Sequence, residues 1–479
     1  MLFNSLEYLL FLPIVFLIYW FLNKQKLQYQ NLFLLLVSYY FYSCWDWRFL
    51  FLLIFSTALD YFTGIKMHQA TNKKNKSIWF WLSITVNLGF LGVFKYYNFF
   101  AISFAEALSS IGFHANFWTL QVILPIGISF YTFHGLSYVI DIYKNRIEPE
   151  KNIVSYSLFV SYFPLLVAGP IERATHLLPQ IKKKRVFNYN QAVDGLRQIL
   201  WGLFKKMVIA DNCAEYANLI FDNPNHYNGS SLLFGAIFFA FQIYGDFSGY
   251  SDIALGTSKL FGIDLLKNFN YPYFSRDIAE FWRRWHISLS SWFRDYLYVP
   301  LGGSKGSMWI KIKNTFIIFI VSGFWHGANW TFIFWGLLNA IFILPSIILK
   351  TNRNNLEIVA KGKIFPTVKE GSQILITFLL TVLAWIFFRA DNLHDAFHYI
   401  AKLFSTSIFQ LPSKRPSFGI LIFLMLFFFT EWIGRENDFA LQKIGFKWNR
   451  MFRWILYVLI ILIILVFTGK EQEFIYFQF

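Results

Sequence analysis

One histidine stands out because it lies within a long uncharged run. From Asn314 to Leu349 the chain carries no charged residue, apart from any proton on His326. As a single helix this run would measure about 54 Å, whereas the hydrocarbon core of a bilayer is about 30 Å thick. We therefore predict two elements, or one long helix broken near Gly323 and Gly327, with His326 beside the break.

An imidazole can take or give a proton near neutral pH. Ionisable side chains at membrane depth are costly and by default mark functional sites, and irregular backbone there must face protein or a wet cavity. The alternative is a structural histidine that a neighbouring helix satisfies. The burial argument alone leaves both interpretations of His326 open.

A second polar segment, from Ser275 to Gly303, is rich in Trp and Arg. Read as one helix, it places Glu280 and Arg284 four residues apart, where they can form an ion pair. One face of that helix would carry Trp282, His286, Leu289 and Phe293. Such a helix is typical of a membrane interface, and an interfacial anchor accounts for every feature except His286.

Two acidic residues lie inside a third segment, the apolar stretch Leu232–Gly262. Asp246 and Asp252 cannot stay unpaired there, so we predict that they line a cavity or pair with basic residues. The candidate partners are Arg276, Arg283 and Arg284. A structural role for the two carboxylates is slightly favoured over a chemical one.

The composition indicates a polytopic membrane protein. Apolar residues make up 56% of the 479 residues and charged residues only 15%, against about a quarter in soluble chains. The net charge of +16 resides in short loops between apolar runs, so positive-inside topology explains it and nucleic acid is not an expected partner. The two cysteines, Cys44 and Cys213, are far apart and match no zinc-binding spacing, so we predict neither a disulfide framework nor a metal site.

The distribution of lysines predicts the topology of the first half of the chain. Leu6–Leu22 lacks the features of a cleavable signal, and the lysines after it place the N-terminus outside. Residues 95–118 are predicted to be external and include the weakly apolar stretch Ile102–Phe113. The predicted spans are Leu6–Leu22, Asn31–Cys44, Phe49–Gly64, Ile78–Phe94 and Gln121–Tyr143.

Simple alternation of spans fails at Val154–Val167, because the basic cluster Lys182–Arg185 follows it closely. A re-entrant hairpin that turns at Ala168–Pro170 keeps this cluster in the cytoplasm. Asn190–Ala210, with Lys205 and Lys206, is predicted to be an amphipathic helix at the interface. With further spans at 370–389, 417–433 and 454–468, we expect about eleven to thirteen membrane segments.

The motifs around the two histidines resemble those of the membrane-bound O-acyltransferase (MBOAT) family, especially its alginate O-acetyltransferase branch. They are FWRRWHISLSSW at residues 281–292, FWHGANW at 324–330 and FWG at 334–336. Further matching stretches are Pro125–Tyr131, Phe163–Pro170, Asp246–Asp252 and the tail Glu473–Phe479. The resemblance covers nearly the whole chain, and its combined motifs are specific although each alone is weak. The D-alanyl transferase of teichoic acid synthesis is a more distant relative.

The resemblance implies an all-α polytopic membrane protein. Its single membrane domain would span residues 1–479, with core motifs at about 120–340, N-terminal helices in 1–119 and C-terminal helices in 370–479. About eleven to thirteen transmembrane and re-entrant helices would form a ring around a central funnel. The implied location is a bacterial inner membrane.

The resemblance also implies the reaction and its participants. An acetyl group would pass from a cytoplasmic donor, acetyl-CoA, to an alginate-like polysaccharide outside the membrane, with the help of a separate periplasmic partner resembling SGNH hydrolases. Peptidoglycan O-acetylation and D-alanyl transfer to teichoic acid remain alternatives. A transporter or a scaffold of an export complex is an alternative of another class, although the chain shows no internal hydropathy repeat.

The family's hallmark histidine corresponds to His326, and its second polar histidine to His286. We expect His326 to act as general base and His286 to orient the donor or serve the cytoplasmic mouth. The other candidate residues are substrate-binding ones: Asn329, Arg283, Arg284, Asp246 and Asp252. Either Asn329 or backbone N–H groups at the helix break would stabilise the oxyanion.

Overall fold

The computed structural model describes residues 1–113, 125–167 and 169–477, and regular structure within these ranges is helical, with no strand. The prediction of an all-α membrane protein is confirmed. The chain packs as two compact units, Met1–Ala192 with Ser258–Leu266, and Val193–Thr257 with Lys267–Phe479. The single domain and the ring of helices around a funnel stay predictions.

Helices of the first unit reproduce most of the predicted spans. They are α1 (Leu6–Leu22), α2 (Leu27–Ser43), α3 (Trp47–Gln69), α4 (Lys73–Leu91), α5 (Tyr97–Ser110), α6 (Ile128–Tyr143), α7 (Ile153–Ser161), α8 (Phe163–Leu166) and α9 (Ala174–Lys182). A π-helical turn, Gly92–Tyr96, joins α4 to α5, so one helical segment runs from Lys73 to Ser110. The helix therefore continues well beyond the predicted end at Phe94. Residues 114–118 and 121–124 of the predicted segments lie outside the described residues.

The predicted re-entrant segment consists of two short helices. The nine residues of α7 span about 13 Å, less than half of a bilayer core. Ala168, at the predicted hairpin turn, lies outside the described residues. Within the basic cluster that follows, Arg185 is buried and donates to the side-chain oxygens of Gln30 and Asn31. The cytoplasmic location of the cluster stays a prediction.

The second unit contains the helices that carry the candidate site residues. They are α10 (Tyr189–Leu203, which begins in the first unit), α11 (Asp211–Asp222), α12 (Gly229–Leu260, which ends in the first unit), α13 (Ile278–Arg284), α14 (Ile287–Phe293), α15 (Met308–His326), α16 (Trp330–Ile348), α17 (Val368–Arg389), α18 (Leu393–Leu403), α19 (Phe418–Gly434) and α20 (Arg450–Phe467).

Several helices are long and apolar enough to cross a membrane. By length and composition, seven such segments occur in the described residues: α3, the joined α4–α5, α12, α15, α16, α17 and α20. Two shorter apolar helices, α1 and α19, accompany them. The chain is therefore a multi-pass membrane protein. The larger predicted count also includes shorter and re-entrant pieces such as α7 and α8.

The uncharged run around His326 folds as two helices, as predicted. Helix α15 ends at His326, and α16 begins at Trp330. Asn329 caps the start of α16, because its side-chain oxygen accepts a hydrogen bond from the Thr331 amide at 3.0 Å. Two glycines let the helices touch. A Cβ atom added at Gly323 or Gly336 would lie 2.2 Å from a backbone oxygen of the opposite helix. Small residues permit such close approach of membrane helices.

Two local predictions are wrong. The segment from Ser275 to Gly303 is not one helix, because α13 ends at Arg284 and α14 starts at Ile287. In the predicted interfacial helix, α10 gives way to a π-helical stretch, Phe204–Ala210, whose Lys205 and Lys206 are buried instead of lying at an interface. Both departures depend on contacts between residues far apart in sequence, which local periodicity does not encode.

Candidate active site

His326 is the last residue of α15, and an aromatic enclosure surrounds it. Its side chain is almost fully buried, at 4% exposure. Four ring centroids lie close to its own, those of Trp325 (4.8 Å), Trp335 (5.1 Å), Phe388 (5.3 Å) and Tyr476 (5.6 Å). The enclosure excludes most bulk water, which strengthens electrostatic interactions at the imidazole.

His286 lies in the break between α13 and α14. Its backbone is left-handed, with φ of 43°, and backbone bonds hold the break open on both sides: Ile287 N donates to Asn268 O at 2.9 Å and Asn270 N donates to Arg284 O at 3.0 Å. Non-glycine residues held in such conformations cluster at functional sites. Burial lowers the pKa of His286 to about 3, so its imidazole is neutral at physiological pH.

Two aromatic residues bring the histidines into one site. The Trp325 ring lies 4.8 Å from that of His326 and 5.9 Å from that of His286. The Tyr476 ring lies 5.6 Å and 6.3 Å from the same two rings. The structure thus brings together the two histidines that the sequence predicts for the site. Tyr476 is an addition, and the only sequence signal for it is the C-terminal motif Glu473–Phe479.

The other polar candidates bind protein groups of the second unit. Asn329 caps α16, and its Nδ2 donates to the Asp391 carbonyl at 2.7 Å. Arg283 donates to the carbonyls of Asn352 and Asn355, at 2.7 and 2.8 Å. These contacts fix loops beside the site and leave the predicted substrate-binding roles untested.

Arg284 forms the predicted ion pair with Glu280, at 2.7 Å. Arg276 pairs with the same carboxylate at 3.0 Å, so Glu280 holds two guanidinium groups while it is itself 1% exposed. A buried carboxylate needs such partners, because the loss of either guanidinium would leave charge uncompensated just before the break at His286.

The partners of Asp246 and Asp252 differ from those predicted. Lysines take the place of arginines: Lys206 lies 2.9 Å from Asp246, and Lys205 lies 2.5 Å from Asp252. Both lysines come from the π-helical stretch Phe204–Ala210. The Trp- and Arg-rich segment Ser275–Gly303 suggested arginine partners, whereas the two lysines precede the aspartates by about 40 to 50 residues.

A neutral imidazole that is enclosed by aromatic rings can accept one proton from a hydroxyl group. The site has two imidazoles, and the phenol ring of Tyr476 contacts both of them. This set of groups suits proton transfer during acyl transfer to a hydroxyl.

Comparison with known proteins defines the class. The model of the membrane-bound O-acyltransferase (MBOAT) family matches residues 148–386, a range that includes both histidines. Similarity to curated proteins extends over most of the chain. The protein belongs to the MBOAT family and is an acyltransferase.

Particular relatives narrow the similarity further. A probable alginate O-acetylase of Pseudomonas aeruginosa is 39% identical over 86% of this chain and 76% of its own length. The corresponding protein of Pseudomonas putida is 36% identical over the full length of both chains. A peptidoglycan O-acetyltransferase of Helicobacter pylori is 39% identical over 81% of this chain and 76% of its own length.

Proposed function

We propose that the protein moves acetyl groups from cytoplasmic acetyl-CoA to a hydroxyl acceptor on the other side of a bacterial inner membrane. The observation that carries the proposal is the enclosure of His326 at the end of α15, in ring contact with Tyr476 and close to His286. The acceptor route leads, through a separate periplasmic protein, to O-acetyl groups on a polysaccharide such as alginate.

The proposed step needs one base. His326 takes the proton from the acceptor hydroxyl while the hydroxyl oxygen attacks the thioester carbonyl. The tetrahedral intermediate then collapses, the carbon–sulfur bond breaks, and the proton passes to the leaving thiolate. General base catalysis of this kind typically contributes about 10²- to 10⁴-fold in rate.

A basic cavity in the second unit supports an anionic donor. Its volume is about 560 Å³, and its lining includes four basic side chains and, among the described residues, no acidic one: Arg294, Lys311, Lys350 and Arg353. The lining also includes apolar side chains, among them Phe319 and Ile343. Phosphate groups and an apolar arm, as in acetyl-CoA, match such a lining.

Packed aromatic rings lie between this cavity and His326. Phe319 lies 5.2 Å from Trp282, which lies 5.6 Å from Trp335, and Trp335 in turn contacts His326 at 5.1 Å. Lys311 lies in the first turn of α15 and belongs to the basic stretch Lys305–Lys313, for which the sequence predicts a cytoplasmic location. Donor entry from the cytoplasm is consistent with this arrangement.

Peptidoglycan is the second candidate acceptor. The Helicobacter pylori peptidoglycan O-acetyltransferase matches this chain at the same 39% identity as the Pseudomonas aeruginosa alginate relative. D-Alanyl transfer has less support, because the Bacillus subtilis teichoic acid D-alanyltransferase aligns over only 46% of this chain.

The test uses membranes that contain the protein together with the periplasmic proteins of the same cells. Labelled acetyl-CoA is supplied to inside-out vesicles that enclose the periplasmic proteins and either alginate or peptidoglycan fragments, and ester-linked label is then measured on the enclosed polymer. We expect alkali-labile label on one polymer, and none in vesicles lacking the protein. Absence of transfer to either polymer or to any periplasmic protein would contradict the proposal.

A further inference from the structure

A buried cluster of charges in the second unit has no part in the proton transfer described above. Lys206 is fully buried, and its Nζ lies 2.7 Å from Asp211 and 2.9 Å from Asp246. Both carboxylates are 2% exposed. Buried ions are costly unless they are paired and hydrogen-bonded, so the neighbours of this cluster show what it holds in place.

The cluster holds the segment that follows α20. Lys206 Nζ donates to the Gln472 carbonyl at 3.0 Å, and the Ile475 amide donates to Asp246 Oδ2 at 2.7 Å. Each charged group of the Lys206–Asp246 pair therefore bonds the backbone of this segment. Hydrogen bonds between a backbone group and an ionised side chain are stronger than those between two neutral groups. Because the segment takes part through its backbone, these bonds fix its position whatever side chains it carries.

Contacts at the start of the segment add to this attachment. The Gly469 amide donates to the Met207 carbonyl at 3.0 Å, next to Lys206 in the chain. A Cβ atom at Gly469 would lie 2.7 Å from the Asn212 amide nitrogen, so only glycine permits this approach. The Lys470 amide donates to Glu215 at 3.1 Å.

The far end of the segment reaches the two histidines. Phe474 and Ile475 are buried, and the Phe474 ring packs 4.6 Å from that of Tyr250. Tyr476 follows directly and contacts His326 and His286. The Ile475–Asp246 bond is thus one residue away from the ring that lies against both imidazoles.

We propose that Lys206 and Asp246 are positioning residues for acyl transfer, which act by fixing the backbone of Gly469–Tyr476 so that Tyr476 forms the wall between His286 and His326. The proposal rests on the proposed function for its activity measurement. It assigns Asp246 to the anchoring of this segment in place of the substrate-binding role that the sequence suggests.

The test removes the charge of Asp246 while keeping the shape of its side chain. Asp246→Asn can still accept the Ile475 amide but removes the charge that faces Lys206. Gly469→Ala disturbs the same segment at its other end, where the new methyl group would press on the backbone of Asp211 and Asn212, and it removes no charge. Asp141→Asn is the matched control, since Asp141 is a buried aspartate paired with Arg146 at 3.0 Å in the first unit.

Two measurements are made on each variant. The first is thiol labelling of a cysteine placed at Ile475, in protein whose Cys44 and Cys213 are replaced by alanine; it does not depend on activity. We expect protection in the parent and in Asp141→Asn, and faster labelling in Asp246→Asn and Gly469→Ala. The second is acetyl transfer, for which we expect kcat to fall about tenfold to a hundredfold while KM for acetyl-CoA stays within about twofold.

The outcomes separate this proposal from the proposed function. Unchanged labelling in both segment variants would overturn the anchoring. Faster labelling with unchanged kcat would show an anchored segment that does not position the site, and would also overturn the proposal. If the parent transfers no acetyl group, the proposed function fails, while the labelling result still decides whether Lys206 and Asp246 hold the segment.

Discussion

At the scale of single residues, the backbone holds the two histidines differently. His326 ends a regular helix, so replacing it leaves the backbone unstrained. His286 has a left-handed backbone, which costs a residue with a Cβ atom about 1–2 kcal/mol unless its surroundings hold it. Alanine at this position therefore mixes loss of the imidazole with loss of stability.

Asparagine is the better replacement for His286, because it adopts left-handed conformations several times more readily than most residues. We expect His286→Asn to keep the protein at parental level in the membrane, and to reduce acetyl transfer less than substitutions of His326 do, chiefly through a higher KM for acetyl-CoA. Steady-state kinetics on membranes with matched protein content measure both quantities. A loss in kcat as large as that caused by His326 variants would instead make His286 a second essential group.

At the scale of helices, α15 and α16 pack closely against each other on either side of the break. Gly336 has no room for a methyl group, because the added Cβ would lie 2.2 Å from the Phe319 carbonyl oxygen. Gly371, in the first turns of α17, has no atom within 4 Å of the same position. Alanine substitutions at Gly336 and Gly371 can therefore be compared as a crowded and an open position within the second unit.

We expect Gly336→Ala to destabilise the protein by about 1–3 kcal/mol, because one of the helices must shift. Gly371→Ala should be neutral or stabilising by up to about 1 kcal/mol, because alanine favours helix over glycine. Thermal unfolding in detergent, followed by the loss of monodisperse protein, measures both. Equal midpoints for Gly336→Ala and the parent would contradict the close packing of α15 and α16.

The predictability of these elements differs for a physical reason. An uncharged run too long for one span, with glycines near His326, encodes the α15–α16 break locally. The break at His286 is held by backbone bonds in which Asn268 accepts and Asn270 donates, whereas the periodicity of its flanking residues matches a continuous helix. The sequence around Lys206 suggests an interfacial lysine. Its partner Asp246 lies on α12, 40 residues later in the chain, and only the fold brings the two together. Pairings of this kind lie beyond local pattern.

At the scale of the whole molecule, the positive-inside rule makes a prediction about topology. Lys184 and Lys305 are exposed and belong to basic loops that should face the cytoplasm. A cysteine at either position, with Cys44 and Cys213 replaced, should resist a membrane-impermeant thiol reagent in intact spheroplasts and react after lysis. Native Cys44 is exposed at the end of a predicted outward span, so restoring it alone provides the external control.

Labelling of the Lys184 cysteine before lysis, at the rate seen for Cys44, would contradict the re-entrant interpretation of Val154–Val167. That segment would then cross the membrane and carry the basic cluster outside. The half-length helix α7 favours protection of the Lys184 cysteine before lysis, because nine residues cannot span the hydrocarbon core.

The central claim is that His326 acts as the base, and His326→Gln tests it most directly. Glutamine keeps a polar side chain that can hydrogen-bond within the aromatic enclosure, but it takes no proton at neutral pH. We expect transfer of labelled acetyl from acetyl-CoA to fall by about 10²- to 10⁴-fold in His326→Gln, as in His326→Ala and His326→Leu, while protein level and thermal stability stay near those of the parent. Near-normal transfer by His326→Gln would contradict the claim and assign His326 a structural role.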